Sequence, residues 1–361
     1  MDNQKILVNF VHGYNNNDID LPKSLKPALW EIKKETQKIH KYPFPRNPKD
    51  FQELESLIVG ESPSRHQNNF KKLPRFGLTG MSIKDNFVYS GSWNGVYEID
   101  QSSCQLKRII SHSLMSDLHG IFATKDYLIT VLTCKDTVVF TDYSGKVIDH
   151  FTVSPNLDVY KDDNLEDIDW RFISKQFRGS CGFWHFNYVQ KIENEIWLTS
   201  RNANSFVVVD LTKKLATMRL MNLCTPVLLH DGTKIDDKYH FTSIDGKIII
   251  AHEKNLSPDV ENNWEKPNNL NLYNRDLNAH VIRINETNYG REPNWCRGLS
   301  INNDAIYVTI DGRYDSDLSF GILKVSSKIN ASEVARLHWK EIDDEYKIRY
   351  VTGFDLEVFN S

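Results

Sequence analysis

The chain has 361 residues and a mass of 42.0 kDa, is 40% hydrophobic and 11% aromatic, and carries 44 basic against 48 acidic side chains for a net charge of −4. That is apolar material enough for one large core or two ordinary ones, and no run approaches the ~18 consecutive apolar residues of a membrane helix. The acidic balance argues against nucleic acid as a partner, since that would call for a basic face.

The N-terminal MDNQKILVNFVHGYNNN has no basic stretch followed by an apolar one, and the five cysteines (Cys104, Cys134, Cys181, Cys224 and Cys296) form no CxxC pair. Free thiols in a reducing, cytoplasmic setting are therefore expected. Lys5–Gly13 reads as a strand able to complete the edge of a distant sheet. Next comes an extension over residues 14–75. Within it Leu25, Leu29, Ile32 and Ile39 fall at near-helical spacing, with Pro22 and Pro27 confined to the start. The spacing predicts one helix over Leu21–His40, packed on the outside.

Strand signals dominate from about residue 76. Hairpin turns are marked at Trp93-Asn94-Gly95, Ser144-Gly145, Thr212-Lys213-Lys214 and Asp245-Gly246, because Asn-Gly and its relatives accept positive φ at little steric cost. Five openings recur, TGMSI, DLHGIF, WHFNYV, LLHDGTKI and CRGLSI, each followed by further strands. The shorter spacings between them match a four-stranded propeller blade of ~40–50 residues. The longer ones hold polar insertions, residues 154–180 and 255–278, which are expected as loops on one rim, commonly the binding face. The expected fold is an all-β, single-domain β-propeller over residues 1–361. Five blades are read directly, and a sixth is possible if Tyr350–Phe359 joins Lys5–Val11 so that the two ends share a blade and remove an open edge.

In a propeller the first strand of each blade lines the axis. His119, His185 and His230 then converge on a central channel from three consecutive units, joined by Arg297 from the next. Imidazoles so placed suit either a divalent metal (Fe, Zn or Mn) held by His119, His185 and His230 or acid–base work near neutral pH. Asn187 and Asp231 are expected to support them and contact substrate, with Asp117 as a second orienting carboxylate. Arg297 offers a two-pronged donor to an anionic group. Gly80, Gly120, Gly232 and Gly298 allow close backbone approach at the axis. Cys181 and Cys296 precede His185 and Arg297 and read as buried, inert thiols. His240 and His252 fall on the second and third strands of the fourth unit, His252-Glu253 reads as an ordinary surface pair, and His12 has no assigned place. The acids of Tyr160–Asp169 lack the spacing of a calcium loop. There is no Walker loop, GxGxxG, HExxH or GxSxG, so no nucleotide cofactor is expected.

Over residues 76–340, the openings DLHGIF, WHFNYV, LLHDG and CRGLSI with their following strands resemble the group of small-molecule propeller proteins that includes gluconolactonase-type hydrolases, strictosidine synthase-like proteins and streptogramin B lyases. The resemblance implies a small-molecule site on the propeller axis. The expectation is a small-molecule enzyme with a His-rich channel, of lyase, isomerase or cyclase type ahead of hydrolysis or metal-dependent oxygenation, acting on an anionic substrate. The competing expectation is a non-catalytic scaffold that binds a protein or peptide through one rim.

Overall fold

Short β-rich runs separated by tight turns pair here into six sheets, each built outward from one inner strand and antiparallel throughout except where the edge strand Ile58–Gly60 runs parallel to Leu106–Ser111. The computed structural model describes residues 4–13, 26–34, 36–61, 63, 76–162, 169–172, 182–203, 205–220, 229–252, 257–258, 279–286, 296–302, 305–310, 319–326, 330–338, 341 and 350–360. The inner strands are Met81–Lys84, Leu118–Ala123, Phe186–Ile192, Leu229–Ile235, Cys296–Asn302 and Tyr350–Asn360. Each contacts the next in a closed ring. The protein is a six-bladed β-propeller, one blade more than the direct sequence count.

The additional blade is the one that closes the ring. Its inner strand comes from the C-terminal Tyr350–Asn360, and its other strands, Gln4–Gly13, Ala28–Lys33 and Thr36–Lys41, come from the N-terminal part. The register runs from Lys5 opposite Phe359 to Val11 opposite Thr352. This is the end-to-end pairing anticipated from the sequence, and it closes the ring with strands drawn from both ends of the chain.

Blades pack face to face, so the hydrophobic interior is divided. Six clusters lie one at each interface between neighbouring blades. That division explains why the expected helix over Leu21–His40 does not form where it is described. Ala28–Lys33 and Thr36–Lys41 are strands paired to each other, with Trp30 opposite Ile39. Trp30 and Ile32 face the last blade, where the Trp30 ring meets Phe320 edge-on at 5.4 Å. Leu29 points the other way, into the cluster shared with the next blade. A strand buried on both faces places apolar residues at adjacent positions, and the result imitates a helical stripe. Leu25 lies outside the described residues. The helix that is described is a short one, Pro48–Glu53, with the Asn47 side chain accepting from the Lys49 and Asp50 amides in the usual capping arrangement.

The inner strands approach closely enough to exclude side chains at two points. A Cβ on Gly80 would lie 2.2 Å from the His119 carbonyl oxygen, and one on Gly298 would lie 2.8 Å from the Asp355 Cα. These glycines admit neighbouring strands to one another; the Gly80 amide donates to that same His119 carbonyl at 2.8 Å. Gly80→Ala is expected to cost about 2–4 kcal/mol, in the range of severe backbone clashes, with urea unfolding as the measure. A loss below about 0.5 kcal/mol would show that the strands separate freely.

The two insertions leave their sheets at opposite ends. Residues 154–180 leave the sheet at Val153, at the end where His119 lies, as the pairings Thr137 with Thr152, Leu132 with Thr137 and Leu118 with Leu132 establish. The 255–278 insertion joins His252 to Ala279, at the end of its sheet remote from His230. Most of it lies outside the described residues; Ser257–Pro258 pairs with the outer strand Leu215–Leu220 of the preceding blade. The first insertion is anchored against the preceding blade: Trp170 is buried between blades, and its amide donates to the Ser113 carbonyl at 2.7 Å, next to the outer strand Leu106–Ser111.

Candidate functional site in the central channel

A β-bulge recurs in the inner strands. Leu118 pairs with Leu132, but the next pair is Ile121 with Thr130, so one residue is extra. The same irregularity follows Phe186, Leu229 and Cys296, and on the closing strand it lies between Gly353 and Asp355. A bulge re-aims side chains that strict alternation would turn to the other face. Alignment on it puts His119, Asn187, His230 and Arg297 at one equivalent position and Tyr188, Asp231 and Asp355 at the next. Glu357 lies two residues beyond Asp355, on the same side of the strand.

The sequence reading set His119, His185 and His230 at one phase. By register the equivalent of His119 and His230 is Asn187, whereas His185 stands two residues earlier, at the level of Asp117. His185 and Asp117 share a left-handed backbone, each with φ 52. Non-glycine residues adopt that conformation only when the surroundings enforce it. At His185 the enforcing group is Asp136, whose carboxylate accepts from the amides of Trp184 and His185, both at 3.0 Å.

The rings nevertheless converge. His119 and His185 meet edge-to-face with centroids 5.7 Å apart, and His230 feels the charges of Arg297, His119, Arg201 and His185. All three histidines, Asn187, Asp231 and Arg297 are buried. The Asn187 Oδ1 lies 2.8 Å from His119 Nδ1 while its Nδ2 donates to the Leu229 carbonyl. With the amide so oriented, His119 Nδ1 donates to Asn187, and Nε2 faces Asp117 Oδ1 at 3.5 Å. His230 Nδ1 is 3.0 Å from Asp231 Oδ1.

Burial, the positive charge of Arg297 and the neighbouring rings hold the His230 imidazole well below its usual range. Burial drives the Asp231 carboxyl the other way, up to about 8, with Arg297 only partly opposing it. Two carboxyls that the sequence reading missed belong to the same layer. Asp355 is raised well above the carboxylate range by burial and by the charges of Asp231 and Glu357, although the Met81 and Leu356 amides donate to it at 2.7 and 2.8 Å. Glu357 is raised by burial to about 7, with a hydrogen bond from Ser300 at 3.1 Å. The Tyr188 phenol is raised as well, by burial first and then by Asp355. A signal for the acids existed: FDLEV places Asp355 and Glu357 two apart on a strand, where apolar residues would otherwise alternate onto one side.

The three histidines do not assemble a tight metal cage. Among the described residues, the one set of three His, Cys, Asp or Glu donors whose ligand atoms all lie within 4.8 Å of one another is Glu31, His40 and Cys104, away from the channel. Cys296 is a buried thiol, Cys181 lies outside the described residues, and His252 pairs with Asp237 at 3.0 Å near the surface.

No protein-family model matches the chain, and no curated protein sequence does. Among solved structures it is similar to virginiamycin B lyase from Staphylococcus aureus, at 13% identity and a TM-score of 0.44, over 85% of this chain and 77% of that one. It is also similar to the computationally designed Ika8 protein, at 12% identity and a TM-score of 0.34, over 78% and 65%. A third likeness is to the β-propeller domain of Cps50 (Swd1) from Myceliophteria thermophila, at 9% identity and a TM-score of 0.39, over 75% and 73%. Likeness at this level adds nothing to the propeller architecture already given by the sheet order.

Proposed function

We propose that this propeller is a small-molecule enzyme whose central channel performs proton-transfer chemistry, of lyase, isomerase or cyclase type, on an anionic substrate. The observation that carries the reading is the contact between His230 and Asp231. The environment drives these neighbours apart, with the imidazole kept neutral and the carboxyl inclined to keep its proton. Opposed proton affinities in touching groups are the usual basis of acid and base assignments. His230 is the base, Asp231 orients it and supplies a proton, and His119, held by Asn187 at Nδ1 and facing Asp117 at Nε2, is a second proton-handling group. Arg297, at the same bulge position as His119 and His230, binds the substrate's anionic group. Metal assistance at His119, His185 and His230 is a weaker version of the same proposal, because the rings converge without forming a three-nitrogen cage.

The test begins with a thermal-shift screen of organic acids and phosphate or sulfate esters, followed by turnover assays on the compounds that bind. Arg297→Ala is expected to abolish their stabilising effect. His230→Ala and Asp231→Asn are expected to lower turnover by about 100-fold or more, at the lower end of what general acid–base catalysis contributes. Ligand stabilisation undiminished in Arg297→Ala, or turnover undiminished in both other variants, would overturn the reading in favour of the rim-binding scaffold.

A further inference from the structure

We infer that Glu31, His40 and Cys104 form a binding site for a thiophilic divalent metal ion of the zinc class, at the seam between the ring-closing blade and the blade that follows it. The three donors come from separate stretches of chain. Glu31 and His40 lie on the paired strands Ala28–Lys33 and Thr36–Lys41, on the face turned toward the next blade, with Glu31 Oε2 2.7 Å from His40 Nε2. Cys104 lies in the turn after Val96–Asp100 on that next blade. All three ligand atoms lie within 4.8 Å of one another. Carboxylate oxygen, imidazole nitrogen and thiolate sulfur are the donors a tetrahedral zinc site uses, with a fourth position for solvent or another ligand. A set containing sulfur favours zinc-like ions over magnesium or calcium.

The cage is built, not fortuitous. The turn that carries Cys104 is wound around Asp100, whose carboxylate accepts from the amides and hydroxyls of Ser102 and Ser103. The Cys104 amide donates to the Asp100 carbonyl at 2.8 Å, its backbone is left-handed at φ 56, and its carbonyl is fixed by the Tyr42 hydroxyl at 2.9 Å. Glu31 is ready as a ligand: burial opposes its ionisation, yet Lys33, Lys5 and His40 hold it down at about 2. Burial raises the Cys104 thiol, so metal binding must expel its proton: Cys–SH and M²⁺ give the metal thiolate and one H⁺.

A cation already stands in this space. The Lys5 ammonium is 2.8 Å from Glu31 Oε1 and 3.4 Å from Cys104 Sγ, and it also donates to the carbonyls of Gln101 and Ser102. Lys33 flanks Glu31 from the solvent side at 2.8 Å. Metal and ammonium therefore compete for one pocket of negative potential, with Lys5 as the cation that an arriving metal displaces. Metal bound here ties the N-terminal strands to the second blade, next to the joint that holds the ring shut.

Co²⁺ and Zn²⁺ added to the full-length, tag-free protein test this. Co²⁺ is expected to produce a sulfur-to-metal charge-transfer band and tetrahedral visible absorption. Zn²⁺ is expected to abolish both and to release about one proton, read from calorimetry in buffers of different ionisation heat. Cys104→Ser and His40→Ala should each remove the band, whereas Lys5→Met should tighten Co²⁺ binding at least about tenfold. Circular dichroism reports whether each variant folds, and Cys104→Ala substitutes should the serine variant not. Absence of the sulfur band at saturating Co²⁺, its survival in Cys104→Ser, or weaker binding in Lys5→Met would overturn the assignment.

Discussion

Replacing Asp169 with alanine is expected to cost about 3–5 kcal/mol of unfolding free energy, the range seen when one partner of a buried ion pair is removed. Asp169 sits in the first insertion and grips Arg171 two-pronged, with Nε at 2.8 Å from one oxygen and Nη2 at 2.6 Å from the other. The Arg171 side chain is 0% exposed; its Nη1 donates to the Glu61 carbonyl at 2.6 Å, and its guanidinium lies 5.1 Å from the centre of the Phe51 ring. Losing the carboxylate leaves a charge that cannot reach water. Asp169→Ala combined with Arg171→Met removes both charges and is expected to recover most of the loss, since an apolar replacement of similar length tolerates burial well. Guanidinium unfolding of the two singles and the double gives the coupling. A single-mutant loss under about 1 kcal/mol would mean that solvent reaches the pair. The same knot holds Trp170, over which Lys135 lies 4.3 Å from the ring centre. Asp169→Ala should therefore also make the insertion more sensitive to protease, at the channel end where His119 and His185 sit.

The propeller could be read from the chain because its signals are local. Each hairpin turn named in advance joins two paired strands: Asn94-Gly95 between Phe87–Gly91 and Val96–Asp100, Asp245-Gly246 between Lys238–Ser243 and Lys247–His252. The joining of the two ends was legible as well, because Lys5–Val11 and Tyr350–Phe359 are both strand-like runs and a closed ring needs one more blade to remove its open edge. What misled was two-sided burial. Ala28–Lys33 feeds two inter-blade cores at once, so its apolar spacing imitates a helix, and nothing nearby in sequence reveals the second core. The site was partly legible for a similar reason. His119, His230, Asn187 and Arg297 stand at the bulge, but the bulge itself, one extra residue in a pairing, is invisible without the partner strand. Counting from apolar runs therefore gave His185 the place that belongs to Asn187. Asp136 was missed because its role is to hold two amides in another blade, which no motif encodes.

Stability is expected to fall as pH rises from about 6.5 to about 8, and the acids of the channel are the cause. A carboxyl whose proton affinity is raised by folding stays protonated in the native state after its unfolded counterpart, at pKa ~4, has ionised. Across the interval between the two values the native state binds more protons, so stability declines with pH at up to about 1.4 kcal/mol per unit for each group. Glu357, at about 7, and Asp231, at about 8, define the upper end, and Asp355 is raised beyond the carboxylate range beside them. Buried histidines act in the opposite sense. His112, pushed down to about 3 by burial, Arg171 and His150, and His240, pushed to about 4 by burial and Lys238, stay neutral while their unfolded forms charge below pH ~6.5. His230 behaves likewise. These histidines lower stability as pH falls through that region, offsetting the gain from the carboxyls there. Above pH ~6.5 the histidines' opposing contribution fades as their unfolded forms lose the proton, and the carboxyls dominate. Denaturant titrations of wild type at pH 6.5, 7.2 and 8 are expected to show the decline, and Asp231→Asn with Glu357→Gln to flatten it, because an amide cannot ionise and keeps the shape of the protonated acid. An undiminished slope in that double variant would place the titrating protons elsewhere. Loss of the decline in wild type would mean that Arg297 and solvent already neutralise the acids, and with it would go the opposed proton affinities on which His230 and Asp231 were assigned their roles.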